Sequence, residues 1–273
     1  MNVDGSTAAP YCGDAGSDTS YPGGKSGSGI YQRLINQIPP HRVLISAFAG
    51  HCGVVRNIRP AEHTIIIDQE ETVCQWWDDW SRTKQGRAIA IHHCSSIEWL
   101  RFKFNLTGYP AARSDGTRVP LDIAAGASDA RSDGAAATRI MEHFIFADPP
   151  YILGKRTGKQ YKYELSDNQH RELLEILTQI NAASAGIMLC GYPSEIYQPV
   201  NHWRTIEHRV PTRGGPQDEK IWLNYHQPTE LHDYRYIGHD RRNRERIRRR
   251  QRNWIAQLES MSDQERNDRH YQP

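Results

Sequence analysis

Apolar positions along the chain follow two patterns, short continuous runs and runs with helical spacing. The short runs predict strands, because they are rich in branched and aromatic residues and too brief for buried helices. They cover residues 41–49, 64–68, 87–92, 144–147, 187–189, 203–210 and 220–225. Helical spacing occurs at residues 29–38, 69–80, 167–180 and 240–260. This alternation predicts an α/β domain with a mostly parallel, seven-strand sheet.

Two regions show neither pattern. Residues 1–20 consist largely of small and polar residues, which predicts a disordered tail. Residues 101–140 are dominated by Gly, Ala, Ser, Asp and Arg, and a loop of that length is either functional or disordered. We therefore divide the chain into a tail (1–20), a first half-domain (21–100), an insertion (101–140), a second half-domain (141–238) and a basic helix with its tail (239–273).

The composition describes a polar chain of 273 residues with a mean hydropathy of −0.74. No apolar run approaches membrane-spanning length and no basic-then-apolar leader begins the chain, so we expect a cytoplasmic protein without a membrane partner. The five cysteines include no Cys-x-x-Cys pair, which favours reduced thiols over disulfides or a zinc site. They are Cys12, Cys52, Cys74, Cys94 and Cys190. Adjacent residues on a strand point to opposite faces, so His92-His93-Cys94 predicts no metal site.

Positive charge is concentrated near the C-terminus. Residues 241–252 hold eight arginines and one glutamate, a local charge of +7, which leaves −5 for the rest of a chain whose net charge is +2. Such a helix predicts contact with a polyanion, because phosphates would relieve the repulsion among its arginines. A solvated helix offset by the acidic remainder is the alternative. The predicted nucleic-acid contacts are Arg113, Arg118, Lys155, Arg156, Lys159, Arg241, Arg244 and Arg248.

The strand at 144–147 ends at Asp148-Pro149-Pro150-Tyr151. Proline cannot extend a ladder, so the Asp148 carboxylate is predicted at the carboxyl end of a strand, where open α/β sheets bind ligands. Asp148 and the Pro149 carbonyl can accept both hydrogens of a planar amino group while Tyr151 stacks on the attached ring. The alternative is a proline turn after a core strand.

Three further segments suggest a nucleoside-type ligand. Lys25 follows two glycines, but the glycine that a phosphate-binding P-loop needs six residues earlier is Thr19 here. The turn from Gly50 to Gly53 follows a strand and would allow a ligand close to the backbone. Asp68 ends the next strand, where it would accept ribose hydroxyls or cap a helix.

In these motifs and in their order the chain resembles the Dam-like adenine-specific DNA methyltransferases, in particular phage or prophage members. The resemblance implies a Rossmann-like S-adenosylmethionine-dependent methyltransferase fold with a small insertion and a basic C-terminal helix. It implies catalytic roles for Asp148, Pro149, Pro150 and Tyr151. It implies cofactor contacts from Tyr21, Lys25, Phe48, Gly50, Gly53, Asp68, Ser95 and Asp148.

The chain departs from the family pattern at three places. The glycine turn has altered spacing, Ser95-Ser96 stands where an acid usually lies near the cofactor adenine, and Cys190 replaces the first serine of the segment 190–197. The resemblance also places target recognition in residues 101–140, between the cofactor half and the catalytic motif, and the short insertion predicts a brief recognition sequence or modest specificity.

The implied reaction is methyl transfer to the exocyclic amino nitrogen of a flipped-out adenine in double-stranded DNA, by a monomer or weak dimer without a metal. Methylation of RNA and a catalytically decayed nucleic-acid-binding protein are the alternatives. Restriction–modification, phage protection and replication control all use this chemistry, so the sequence does not select a biological role.

Overall fold

The computed structural model describes residues 24–27, 29–83, 88–106, 140–155, 161–180, 182, 184–212 and 215–262. The helices are α1 (Ile30–Ile35), α2 (Gly53–Asn57), α3 (Glu71–Arg82), α4 (Ser96–Lys103), α5 (Asp167–Gln179) and α6 (Arg241–Ser260). The strands are β1 (His41–Ala47), β2 (His63–Asp68), β3 (Ile89–His93), β4 (Met141–Ala147), β5 (Ala185–Gly191), β6 (Arg204–Thr212) and β7 (Gly215–Leu223).

One mixed sheet organises these elements, with strand order β3-β2-β1-β4-β5-β7-β6. Strands β1 to β5 pair in parallel, and β7 is inserted antiparallel between β5 and β6. The predicted mostly parallel seven-strand α/β sheet is therefore confirmed. Because β7 is reversed, the residues before its apolar run at 221–223 lie toward the same edge of the sheet as the carboxyl ends of β4 and β5.

Helices cover both faces of the sheet and create two buried cores. On one face, α1, α2 and α3 contribute residues such as Leu34, Val55 and Trp77. On the other face, α4 and α5 contribute Trp99 and Leu173, among others. Buried sheets of this kind need apolar side chains on both faces, which explains the continuous rather than alternating apolar runs of the central strands.

Local capping determines where two of the longer helices begin. Helix α5 starts with a capping box, in which the Ser166 hydroxyl accepts from the Gln169 backbone N–H and the Gln169 side chain accepts from the Ser166 N–H. The Asp240 carboxylate accepts from the Asn243 N–H at 2.7 Å and caps α6. The predicted basic helix is thus present, and all its described side chains are at least partly exposed.

Several predictions fall outside the described residues. They concern the tail (1–20), Tyr21, most of the insertion (107–139) with Arg113 and Arg118, and the loop residues Arg156 and Lys159. The backbone of Lys155 is described but its side chain is not. Helix α4 continues to Lys103, so the proposed domain boundary at residue 101 falls inside this helix. Among the described helices, none is both long and apolar enough to cross a bilayer.

Candidate active site

A cleft opens at the carboxyl ends of β1, β2 and β4. This is the edge at which parallel α/β sheets bind ligands. The lining combines backbone, carboxylate and aromatic groups from six segments of the chain. The lining residues are Gly24, Phe48, Ala49, Gly50, Asp68, Gln69, Glu70, Ser96, Asp148, Pro150, Tyr161 and Tyr163.

The turn after β1 is held by a carboxylate from β2. The Gly50 N–H donates to Asp68 Oδ2 at 2.9 Å, and the Glu70 N–H donates to Asp68 Oδ1 at 2.9 Å. Phe48 and Gly50 both have positive φ, 57° and 43°, so the turn bends sharply beside the cleft. Burial raises the pKa of Asp68, while the two backbone donors act in the opposite direction. Asp68 lies at the strand end where a ribose acceptor is predicted. It is not the N-cap of α3, which is Glu70.

Gly53 does not line the cleft, but it supports the lysine segment. Its N–H donates to the Gly24 carbonyl at 2.6 Å, and a Cβ added here would lie 2.7 Å from the Lys25 carbonyl oxygen. This close backbone contact leaves no room for a side chain. Gly53 was predicted to contact the cofactor, but in the structure its close contacts are to the segment that carries Lys25.

Ser96, rather than Ser95, faces the cleft. The Ser96 hydroxyl accepts from the Phe48 N–H at 2.9 Å and so joins the start of α4 to the turn after β1. Ser95 is the N-cap of α4 and accepts from the Glu98 N–H. The predicted cofactor contact Ser95 is therefore not among the lining residues, whereas its neighbour Ser96 is.

A buried charged group adjoins the cleft, and we call it the Lys25 cluster: Lys25, Asp148, Tyr151 and Glu219. Lys25 Nζ lies 2.9 Å from Asp148 Oδ1 and 2.9 Å from Glu219 Oε1. It also donates to the Tyr151 hydroxyl at 2.7 Å, and that hydroxyl donates to Asp148 Oδ1 at 3.1 Å. The Lys25 and Glu219 side chains are only 6% and 2% exposed.

The charges within the Lys25 cluster shift one another's protonation. Burial alone would lower the pKa of Lys25, but the two carboxylates together raise it well above its usual value. Burial raises the pKa of both Asp148 and Glu219, while Lys25 opposes that change. With all three groups ionised, the cluster carries a net charge of −1.

Asp148, Cys190 and Glu219 bring their ligand atoms within 4.8 Å of one another, a spacing that could hold a cation. The Lys25 ammonium lies 2.9 Å from both carboxylates and already supplies positive charge between them. Burial raises the pKa of the Cys190 thiol well above its usual value, so this group is protonated when no metal is bound.

The other residues of the 148–151 motif, predicted to be catalytic, are also near the cleft. Pro149 is buried and Pro150 lines the cleft, while the half-buried Tyr151 packs edge-on against Tyr192, with ring centroids 4.6 Å apart. The structure therefore brings Lys25, Phe48, Gly50, Asp68 and the 148–151 motif to one place. Arg241, Arg244 and Arg248 lie separately on α6 and are not among the lining residues.

Sequence reasoning missed Glu219, Tyr161 and Tyr163. The two tyrosines precede α5 and line the cleft beside Pro150, and Tyr163 is 44% exposed. Their signal was the aromatic content of the segment just before the predicted helix at 167–180. Glu219 carried no local signal, because it lies in an ordinary polar stretch before the apolar run of β7.

Neither a protein-family model nor a curated protein sequence matches this chain. Among solved structures, an S-adenosylmethionine (SAM)-dependent methyltransferase from Agrobacterium tumefaciens matches with a TM-score of 0.41 and 8% identity, over 71% of this chain and 60% of that protein. This chain therefore spans less than two thirds of that protein's length.

Two further structures match at similar levels. Human methyltransferase-like protein 13 in complex with SAH matches with a TM-score of 0.39 and 10% identity, over 82% of this chain and 89% of that one. Precorrin 8W decarboxylase from Methanobacterium thermoautotrophicum has a TM-score of 0.37 and 10% identity, over 71% and 86% of the two chains. Likenesses this weak carry no argument about activity, which must come from the site itself.

Proposed function

We propose that this protein transfers a methyl group from SAM to the exocyclic amino nitrogen of adenine in DNA. One observation carries the proposal. Asp148, at the carboxyl end of β4, lines the same cleft as the turn after β1 and the Asp68 carboxylate at the end of β2. An amino-group acceptor and a nucleoside-type pocket are thus adjacent.

The residues of the cleft fit the cofactor. Asp68 offers carboxylate oxygens to ribose hydroxyls, Gly50 allows a ligand close to the backbone, and the rings of Phe48 and Tyr163 offer apolar surface to an adenine. When bound, SAM supplies an activated methyl group, so the protein itself needs to bind, orient and desolvate the reactants.

Orientation of the target base is the task of the 148–151 motif. The Asp148 carboxylate and the Pro149 carbonyl can each accept one hydrogen of a bound amino group, which turns the nitrogen lone pair away from the motif. Extruding a base from the duplex costs a few kcal/mol, and stacking on the Tyr151 ring would offset part of that cost. A carboxylate beside the nitrogen also stabilises the positive charge that develops there.

DNA is the proposed partner because of helix α6. Three of its arginines, the α6 arginine set, were predicted to contact phosphates: Arg241, Arg244 and Arg248. Arg241 and Arg248 are exposed in the structure, and Arg244 is half-buried. Asp240 and Glu245 are the only carboxylates at this end of α6, so the helix remains strongly positive. Guanidinium groups bind phosphates in a bidentate manner.

Methyl transfer from labelled SAM to unmethylated duplex DNA tests the proposal. Wild type is compared with Asp148→Asn, which keeps the shape but removes the charge, and with Asp79→Asn, an exposed carboxylate on α3 that serves as the control. We expect labelled N6-methyladenine from wild type and the control, and a loss of at least about a hundredfold for Asp148→Asn.

The same assay includes a hairpin RNA with unpaired adenines. Faster turnover on the hairpin than on the duplex would replace DNA by RNA as the substrate, since an unpaired base needs no extrusion. A folded wild type that binds SAM but methylates neither nucleic acid would refute the proposed function.

A further inference from the structure

Glu219 is a buried carboxylate that the proposed reaction does not use directly. Strand β7 runs antiparallel to β5, and Lys220 is paired with Gly191, the last residue of β5. The residue before Lys220 therefore reaches the ligand edge of the sheet. Glu219 has the same parity as Ile221, which belongs to the core on the α1, α2 and α3 face, and so it points toward Lys25.

Asp148 reaches the same face by the same parity rule. Phe144 and Phe146 belong to that core, and Asp148 follows them at the next position of the same parity. Three separate segments thus meet at one ammonium group: the loop before α1, the end of β4 and the middle of β7. This convergence has a specific charge balance, with one cation between two carboxylates.

The positive charge of Lys25 is shared between two carboxylates, those of Asp148 and Glu219. If Asp148 were the only counter-ion, the pair would be neutral and its field at the bound amino group would be weak. With Glu219 on the other side of Lys25, also at 2.9 Å, the group retains a net negative charge beside the reacting nitrogen. Cys52 and Cys190 also face this group, but burial raises the pKa of both thiols and they remain neutral.

We propose that Glu219 is a positioning residue, which acts through Lys25 to keep the Asp148 carboxylate available to the substrate amino group. The proposal rests on the proposed function, because it assigns Glu219 a role in that same site. It predicts that the negative charge of Glu219, rather than its volume, matters for the rate of methyl transfer.

The first test does not depend on activity. The carboxyl ¹³C signal of Asp148, assigned by its absence in Asp148→Asn, is titrated in wild type and in Glu219→Gln. Without the Glu219 charge, Lys25 has Asp148 as its one charged partner in the cluster, so we expect Asp148 to titrate at lower pH. Glu219→Asp keeps the charge and should stay closer to wild type. Glu207→Gln, which removes an exposed carboxylate from neighbouring β6, should change nothing.

The second test is kinetic. For Glu219→Gln we expect kcat to fall on the order of tenfold, which corresponds to about 1.4 kcal/mol of transition-state stabilisation, while the Kd for SAM stays within about twofold. In a Lys25→Met background the same substitution should cause no further loss. A further tenfold loss without Lys25 would show that Glu219 does not act through it.

Three results would overturn the proposal: an unchanged Asp148 titration in Glu219→Gln, an unchanged kcat, or equal rates for the Asp and Gln variants. If Glu219→Gln does not fold, the Lys25→Met variant replaces it in the titration, and the proposal then requires Asp148 to titrate at higher pH. Failure of wild type to methylate nucleic acid would reject the proposed function, whereas the titration would still decide the link between Glu219 and Asp148.

Discussion

Replacement of Lys25 by methionine should convert a compensated charge cluster into a repulsive carboxylate pair. The substitution retains most of the side-chain volume but removes the ammonium that lies 2.9 Å from both carboxylates. The Asp148 and Glu219 oxygens lie within 4.8 Å of each other. At that separation and an effective dielectric constant of about 20, two full charges repel by about 3.5 kcal/mol. Breaking a buried ion pair typically costs about 3–5 kcal/mol, which agrees with this value.

The loss should depend on pH in a defined direction. In the variant, repulsion raises the pKa of one carboxyl further, so the native state holds a proton that the unfolded state releases. Native protein then binds more protons than unfolded protein, and the free energy of unfolding falls as pH rises. The slope can reach about 1.4 kcal/mol per pH unit.

Urea denaturation at pH 6 and pH 8 measures both effects. We expect Lys25→Met to lose about 3–5 kcal/mol at pH 8 and less at pH 6. The control is Lys220→Met, which removes a more exposed lysine on β7, 3.7 Å from Glu207, and should cost less than about 1 kcal/mol. A loss of equal size at both pH values, or no greater than that of the control, would refute the electrostatic reasoning.

Three further predictions concern separate parts of the protein. Gly53→Ala should weaken SAM binding by at least about tenfold and lower the free energy of unfolding by about 1–3 kcal/mol, because the new Cβ would lie 2.7 Å from the Lys25 carbonyl oxygen. Calorimetric titration would measure the binding and thermal melting the stability. The control Gly154→Ala, whose Cβ would have no atom within 4 Å, should match wild type in both. Burial and the neighbouring His232 lower the pKa of His41 to about 3, so only the unfolded state gains a proton at this residue as pH falls below about 6.5. The free energy of unfolding should therefore fall by up to about 1.4 kcal/mol for each unit by which the pH is lowered. Urea denaturation of His41→Phe should show a shallower dependence of stability on pH, and an equal dependence would contradict this assignment. Replacement of all three arginines of the α6 arginine set by glutamine should weaken DNA binding without lowering the melting temperature. The slope of the logarithm of the DNA-binding constant against the logarithm of the salt concentration should fall in magnitude by about 3, and an unchanged slope would show that the phosphates bind elsewhere.

Local signals in the chain were sufficient for most of the architecture. Apolar runs and prolines act over a few residues, so the strand before Asp148, the acid at the end of β2 and the start of α5 near Asp167 could all be predicted. The placement of Asp148 at a strand end follows from the two prolines after it. The sheet order follows less directly, although alternating strands and helices strongly favour parallel pairing.

Only the tertiary structure decided which charged groups meet. Lys25 and Asp148 are 123 residues apart, and their contact depends on the packing of the segment before α1 against Gly53. Glu219 joins them because β7 runs against its neighbour β5, and the reversal of one strand leaves no mark in local hydrophobic periodicity. Likewise, the choice of Ser96 over Ser95 depends on which serine caps α4. The sequence by itself thus determined most of the elements and the position of the 148–151 motif at a strand end. The long-range pairing of buried charges required the fold, because Coulomb interactions depend on distance in space and not along the chain.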